Sequence, residues 1–263
     1  MSGIVDLDHL MIGVGALDPA AAAFEQAGFT VTPASAMPTI GLANRCVLFT
    51  PEAPGVANYL ELLHHDPMRA TPFMRGLLAG ADGIKSLVLG CDDVAAASAR
   101  LAELGAPPTA APVRIERRWA LPSGEALDLA FTVATPALDA PPIYCNLCQH
   151  HTLAHYLRPE WRTHANGARR LVAVLAEADR PAAVEAWYAR LYDGTPQVAL
   201  EVAGVAGTRP RAVGFAVAVA DLAATAKLLD ERAVAFTTAP GVVRLAIAGV
   251  RVELREERSR RQS

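Results

Sequence analysis

The stretch Asp8-His9-Leu10-Met11-Ile12-Gly13-Val14 predicts an apolar strand with one imidazole, and Tyr59-Leu60-Glu61-Leu62-Leu63 predicts a strand with one carboxylate. The residues between them predict a helix and two further strands. If the four strands curl into a cup, His9 and Glu61 can meet inside it. An imidazole and a carboxylate in one cavity are the minimum for a metal site or for acid–base chemistry.

The composition predicts a folded protein of 263 residues with a sizeable core, because 52% of the residues are hydrophobic and 19% are charged. The net charge of −3 gives no field that would attract nucleic acid or an anionic membrane. The sequence contains no uninterrupted run of about 18 apolar residues, so no membrane-spanning helix is predicted. Asp6 and Asp8 interrupt the start, so no secretory signal is expected and the protein is predicted to be cytoplasmic.

The cysteines lie mostly in apolar, strand-like segments, which favours buried free thiols in a reducing compartment. They are Cys46, Cys91, Cys145 and Cys148. Cys145 and Cys148 form a C-x-x-C spacing, but positions i and i+3 of a strand point to opposite faces. The spacing is therefore not interpreted as a redox or metal pair.

An internal repeat organises the chain. Residues 5–66 predict one β-α-β-β-β module, in which Asp18-Pro19 starts the helix and Gly28 ends it. Its predicted elements are a strand at Leu7–Val14, a helix at Ala20–Ala27, and strands at Phe29–Pro33, Ala43–Thr50 and Asn58–Leu63.

Residues 84–150 repeat the same order, with Asp92-Asp93 before the helix and Gly105 after it. The predicted elements are a strand at Ile84–Gly90, a helix ending at Leu104, and strands at Val113–Ala120, Ala126–Ala134 and Ile143–His150. A shorter complete copy follows at 211–255, and residues 171–202 give a partial copy that lacks two strands. Residues 151–170 are irregular.

The predicted fold class is α+β. Repeated βαβββ modules form cup-shaped mixed sheets with helices outside, because one helix cannot cover both faces of a four-stranded curl. The predicted domains are residues 1–168, with two modules and the irregular segment, and residues 169–263, with the partial and the short degenerate module. Homodimer contacts are one expected use of the second domain.

The module order and several motifs resemble the vicinal oxygen chelate superfamily, and more narrowly its glyoxalase-like two-module branch. The match covers roughly residues 5 to 175. The motifs are Asp8-His9-Leu10, Gly28-Phe29, Gly41-Leu42-Ala43-Asn44-Arg45, Tyr59-Leu60-Glu61-Leu62, Cys148-Gln149-His150, Arg158-Pro159-Glu160-Trp161 and His164-Ala165-Asn166-Gly167-Ala168.

The resemblance implies a divalent metal ion, such as zinc, iron, manganese or nickel, bound inside the cup. His9 and Glu61 take the ligand positions of the first module. The second module departs from the pattern, since Ser86 aligns with His9 and Asn146 or Cys148 with Glu61. A ligand set of His9, Glu61 and His150 is therefore predicted, and Glu253 is a reserve candidate.

The expected catalytic residues are His9 and Glu61, with Glu61 or a metal-bound hydroxide moving a proton. The alternatives are that His9 is a core residue and that Glu61 faces solvent. The expected substrate-binding residues are Asn44, Arg45, His164 and Asn166. Arg45 would hold an acidic group or form a salt bridge with Glu61 or Asp8. The segment from His164 to Asn166 would line the pocket or form a structural turn.

Two functions remain open at this stage. The first is a metal-assisted isomerase, lyase or dioxygenase acting on a small, acidic, oxygenated metabolite. The second is a metal-free protein that binds or sequesters a small molecule, favoured by Ser86 and by the missing carboxylate of the second module.

Overall fold

The computed structural model describes residues 2–257, which form two β-sheets and five α-helices. The first sheet has eight strands in the spatial order β2-β3-β4-β1-β5-β8-β7-β6. Its strands are β1 (Ile4–Gly13), β2 (Ser35–Met37), β3 (Leu42–Leu48), β4 (Tyr59–His65), β5 (Gly83–Cys91), β6 (Val113–Ala120), β7 (Ala126–Ala134) and β8 (Cys145–His150). Its helices are α1 (Leu17–Gln26), α2 (Pro72–Leu77) and α3 (Val94–Glu103).

The second sheet has six strands in the spatial order β10-β9-β11-β14-β13-β12. Its strands are β9 (Ala168–Ala178), β10 (Ala199–Gly204), β11 (Arg211–Val219), β12 (Thr237–Ala239), β13 (Val242–Ile247) and β14 (Val250–Glu256). Its helices are α4 (Pro181–Ala189) and α5 (Leu222–Glu231).

Each sheet is built around an antiparallel pair formed by the first strands of two modules, β1 with β5 and β9 with β11. In every module the last strand lies parallel to the first, as β4 does to β1 and β8 to β5. The predicted α+β class, with curled mixed sheets made from βαβββ modules, is confirmed. The proposed division into two domains stays a prediction.

The second strand of the first module lies later than predicted. Phe29–Pro33 is not a strand, and β2 covers only Ser35–Met37. The N–H of Cys46 donates to Oγ1 of Thr32 instead of a backbone carbonyl, and Pro33 has no N–H to offer. The ladder therefore begins only after the proline. The short helix α2 was not predicted.

One apolar core runs along the outer face of the first sheet and one face of the second. Leu7 and Leu10 of β1, Phe24 of α1 and Phe215 of β11 are among its fully buried side chains. Gly28 ends α1 with a φ of +87°, a backbone conformation that favours glycine. Helices α1 and α3 thus lie on the outer side of the first sheet, and its inner side is left for a cavity.

All the cysteines are buried and free, as expected. Within residues 2–257, no helix combines the length and the apolar character needed to cross a membrane.

Candidate active site

A cavity of about 310 Å³ opens on the inner face of the first sheet. It is lined by all the strands of that sheet and by α2, and its walls are largely apolar. The apolar residues include Met11, Leu63, Phe73, Val88, Ile115 and Phe131. The polar lining residues include His9, Asn44, Glu61, Arg117, Asn146 and His150. The volume is near the lower end of the range for small-molecule sites, about 300–1,000 Å³.

A β-bulge in β1 brings Asp8 and His9 to the same side of the sheet. Leu7 lies opposite Leu89 and His9 opposite Val88, so Asp8 is an extra residue in the antiparallel pair. Successive strand residues normally point to opposite faces, and a bulge interrupts that alternation. Asp8 is fully buried and His9 is 6% exposed.

The ring of His9 is fixed by Asp8 and by an aromatic neighbour. Nδ1 of His9 lies 2.7 Å from Oδ2 of Asp8, and the ring stacks on Tyr59 with the centroids 4.2 Å apart. A carboxylate at Nδ1 assigns the proton to that nitrogen and leaves the lone pair on Nε2. Nε2 lies 3.7 Å from Oε2 of Glu61. The predicted meeting of His9 and Glu61 inside one cavity is present.

Glu61 is half-buried on β4, opposite Cys46 of β3. Its Oε1 accepts a hydrogen bond from Nδ2 of Asn44 at 2.5 Å. Asn44 therefore holds one carboxylate oxygen while Oε2 remains on the side of His9. Of the four residues expected to bind substrate, Asn44 lines the cavity.

Asp8 also forms a buried ion pair with His150. Oδ2 of Asp8 lies 2.9 Å from Nε2 of His150, and Oδ1 accepts the N–H of Ala57 at 2.7 Å. Burial opposes the charge of Asp8, but the charge of His150 and the hydrogen bonds from His150 and His9 bring the pKa of this carboxyl below its ordinary value. Burial also opposes the charge of His150, but the Asp8 carboxylate raises the pKa of that imidazole well above its ordinary value.

The two modules of the cup differ in chemistry at equivalent positions. In the β1–β5 pair, Met11 lies opposite Ser86 and His9 lies opposite Val88. A twofold relation between the two strands therefore places Ser86 where His9 stands, as the sequence alignment of the modules predicts.

The same relation identifies Asn146 as the counterpart of Glu61. Glu61 pairs with Met11 on β1, and Asn146 pairs with Val88 on β5. Oγ of Ser86 donates to Oδ1 of Asn146 at 2.6 Å. The second module thus fills these two positions with neutral groups that bind each other.

Three expected substrate-binding residues lie outside the cavity. Arg45 is on the outer face and pairs with Asp18 at 2.8 Å. His164 packs against Phe29 and Phe49 of the outer core. Asn166 donates from Nδ2 to the backbone oxygen of Ala27 and accepts from the N–H of Ala168. The interpretation of these three side chains as pocket-lining is wrong, because each is committed to a partner on the outer side.

Glu253 is also remote, since it pairs with Arg244 and Arg255 in the second sheet. Asp8, which binds His9, and Arg117, which lines the cavity, were both missed. Asp8 was not assigned a role in the site, because a bulge is not visible in the sequence. Arg117 could have been found, because Ile115, Arg117 and Trp119 alternate on the predicted strand at Val113–Ala120 and share a face.

The donor atoms of the first module fit one side of a divalent metal site. Nε2 of His9 keeps its lone pair, and its distance of 3.7 Å from Oε2 of Glu61 is below about 4.2 Å, twice a typical metal–ligand distance. Asp8 supports His9 from behind, as carboxylates support metal-bound histidines. His150 lies in the same cavity, but its Nε2 is turned to Asp8 and its Nδ1 is buried without a hydrogen-bond partner.

A second group of potential donors overlaps this one. The group consists of Asp8, Cys148 and His150. Each offers one ligand atom, and the three atoms lie within 4.8 Å of one another. Burial raises the pKa of the Cys148 thiol, whereas metals bind the thiolate. The carboxylate of Asp8 is already bonded to both histidines and to a backbone N–H. The donor atoms of His9 and Glu61 therefore fit a divalent ion better than this second group does.

The profile of the glyoxalase-like domain family matches residues 7–192. Among solved structures, a hypothetical protein from Staphylococcus aureus is similar at 11% identity and a TM-score of 0.68, over 97% of this chain and 100% of that one. A variant of 4-hydroxymandelate synthase from Streptomyces coelicolor is similar at 15% identity and a TM-score of 0.59, over 98% and 95%.

A variant of homoprotocatechuate 2,3-dioxygenase from B. fuscum is similar at 12% identity and a TM-score of 0.57, over 98% of this chain and 73% of that one. At these identities the likeness shows the fold and not the activity. No curated protein sequence matches the chain. The resemblance to the vicinal oxygen chelate superfamily is confirmed.

Proposed function

The chain belongs to the glyoxalase-like domain family, and on that premise we propose that it is an enzyme that moves a proton on a small, acidic, oxygenated metabolite with the help of a divalent metal ion. The observation that carries the proposal is the placement of His9 and Glu61. Nε2 of His9 lies 3.7 Å from Oε2 of Glu61 inside an apolar cavity, and Asp8 fixes the ring.

Nε2 of His9 and Oε2 of Glu61 would hold the metal ion, which when bound would act as a Lewis acid toward a carbonyl or hydroxyl oxygen of the substrate. The side chains behind these two atoms keep them in place. Asp8 prevents the ring of His9 from turning, and Asn44 holds the other oxygen of Glu61.

Glu61 is the proposed proton carrier. Oε1 of Glu61, which keeps a second lone pair beside the bond from Asn44, takes a proton from the carbon next to a substrate carbonyl. The C–H bond breaks, and its electron pair moves onto the carbonyl oxygen. In an isomerisation the proton then returns to a different atom or face of the substrate. In a lyase reaction the enolate expels a leaving group with its bonding electron pair, and the proton on Glu61 passes to that group. The apolar walls limit the water that competes for the proton.

Proton exchange tests this proposal directly. The metal-loaded protein is incubated in deuterium oxide with a panel of small 2-oxo and 3-oxo acids, and deuterium at the carbon next to the carbonyl is followed by NMR. We expect exchange with wild type, and a loss of about 100-fold or more in His9→Ala and Glu61→Gln. Exchange that is unchanged in both variants would contradict the proposed roles.

A metal-free binding protein is the second candidate function, and the bond between Ser86 and Asn146 favours it. Two of the four equivalent positions in the cup are neutral and satisfied by each other. Such a cup would bind an organic molecule against its apolar walls and would not catalyse a reaction of that molecule.

A thermal-shift screen separates the two candidates. A melting temperature that falls on adding a chelator and recovers with divalent ions supports the enzyme. Stabilisation by organic ligands alone, with no effect of chelator, supports the binding protein. Homodimer formation and a cytoplasmic location stay predictions.

A further inference from the structure

Arg117 brings a positive charge to the cavity without a matching acid. It lies on β6, where Ile115, Arg117 and Trp119 face inward while Arg114, Glu116 and Arg118 are exposed. Within residues 2–257, Arg117 forms no ion pair with a carboxylate at 4.0 Å or less. Its Nη1 donates to Oγ of Ser35, and its Nε is buried without a partner.

The other charged groups of the cavity have closer partners. Asp8 and His150 neutralise each other at 2.9 Å, and Glu61 is bonded to Asn44 and lies beside His9. Arg117 is left with one neutral hydroxyl. A buried N–H without a hydrogen-bond partner is unfavourable, so an anionic ligand that accepts from this guanidinium would supply the acceptor that the protein lacks.

We propose that Arg117 determines specificity and that the cavity accepts small monocarboxylates with an apolar body. This inference rests on the proposed function, because it names the substrate class of the same site. A guanidinium is a planar array of five N–H donors that matches a carboxylate in two parallel hydrogen bonds. One of these donors binds Oγ of Ser35, so the remaining N–H groups can donate hydrogen bonds to the carboxylate of a ligand.

The shape of the cavity specifies the rest of the ligand. Its volume of about 310 Å³ suits a small molecule and not a nucleotide-linked acid. Phe73, Met74 and Leu77 of α2 cover it from one side, and Val133 and Tyr144 lie on the other module. A short aliphatic or aromatic chain behind the carboxylate would bury its surface against these walls.

A purely structural role for Arg117 makes a different prediction. The bond to Ser35 and the bond from Nε1 of Trp119 to the backbone oxygen of Ala34, at 3.1 Å, join β6 to the opposite edge of the sheet. If Arg117 only holds these edges together, Ser35→Ala should have the same effect on ligand binding as Arg117→Gln.

Matched anionic and neutral probes test the inference by calorimetry. Hexanoate is compared with hexanamide, and phenylacetate with phenylacetamide, on wild type, Arg117→Gln, Ser35→Ala and the control Arg118→Gln. We expect wild type to prefer each carboxylate by about 10- to 100-fold, as a charge-assisted pair provides. Arg117→Gln should lose the preference, whereas Arg118→Gln and Ser35→Ala should keep it. Arg117→Lys, which keeps the charge, should retain part of it and covers the case in which the glutamine variant does not fold.

The inference is overturned if wild type binds the amides as well as the acids, or binds no acid at millimolar concentration. Equal loss of preference in Ser35→Ala would also overturn it. His9→Ala should keep the preference, because it changes the reacting pair and not the anchor. Failure of proton exchange with an intact preference would therefore reject the proposed function alone, and the reverse result would reject the role of Arg117 alone.

Discussion

The inner and outer faces of the first sheet use the same residue types in opposite ways. On the outer side, His164 accepts the N–H of Thr30 at Nδ1 and contacts the backbone oxygen of Leu48 through Nε2. On the inner side, Nδ1 of His9 is bonded to Asp8, and Nε2 lies 3.7 Å from Oε2 of Glu61. A histidine with both nitrogens bonded to the backbone is structural, whereas one with a free nitrogen in a cavity can react.

The asparagines repeat this contrast. Asn166 bonds to the backbone on both sides of its amide and is 2% exposed. Asn44 bonds to a side chain that itself lines the cavity. The partner of a buried polar side chain, more than its residue type, therefore distinguishes a structural residue from one that can bind or react.

The largest expected effect comes from breaking the inner ion pair. Asp8→Ala leaves the imidazolium of His150 buried without its carboxylate, and loss of one partner of a buried pair costs about 3–5 kcal/mol. Urea unfolding at pH 6 measures the change in the free energy of unfolding. In a His150→Leu background the same substitution should cost less than half as much, because no charge is left unpaired. Equal costs in the two backgrounds would show that His150 is not charged.

Substitution of the two asparagines should have smaller effects. One substitution should mainly lower stability, and the other should mainly alter ligand binding. Asn166→Ala leaves the backbone oxygen of Ala27 and the N–H of Ala168 without partners, so we expect a loss of about 2 kcal/mol and unchanged ligand binding. Asn44→Ala frees Glu61 at the cavity wall, where water can replace the amide. We expect a stability loss below about 1 kcal/mol and altered ligand binding. If one of the two variants lost more than the other in both stability and ligand binding, the distinction between the two faces would be contradicted.

The smallest expected effect is a pH dependence caused by His164. Burial keeps the pKa of His164 below its ordinary value. The ring of His164 therefore binds more protons in the unfolded chain than in the folded one below about pH 6.5, and the stability that this residue contributes should decrease as the pH falls from 7 to 5. The difference between the free energies of unfolding of wild type and His164→Gln, followed by urea unfolding across this pH range, isolates the contribution of His164. A difference that does not vary with pH would contradict it.

The module pattern could be predicted from the sequence because each unit carries strong local signals. Asp93 accepts hydrogen bonds from the N–H groups of Ala95 and Ala96 at the start of α3, and Gly28 and Gly105 follow helices with a positive φ. Strands with alternating residues, such as Val113–Ala120, have the predicted bounds. Local signals of this kind do not depend on distant contacts.

The candidate site was predictable only where the alternation of a strand is regular. His9 and Glu61 follow from the pattern of their strands, but Asp8 reaches Nδ1 of His9 through a bulge that depends on pairing with β5. Arg45 was misplaced because the register of β3 decides which face it takes, and Asn44 occupies the inner face. His164 and Asn166 lie in an irregular segment, which lacks the alternation of a strand, so the sequence does not indicate on which side of the sheet their side chains lie.

A divalent-ion titration tests the central claim, that His9 and Glu61 act as one unit in the cavity. Protein freed of metal with a chelator is titrated with Mn²⁺ or Zn²⁺ by calorimetry. We predict a single ion on wild type, weakened at least about tenfold by His9→Ala and by Glu61→Gln and unchanged by Ser86→Ala. Binding by His9→Ala that equals wild type would contradict the account.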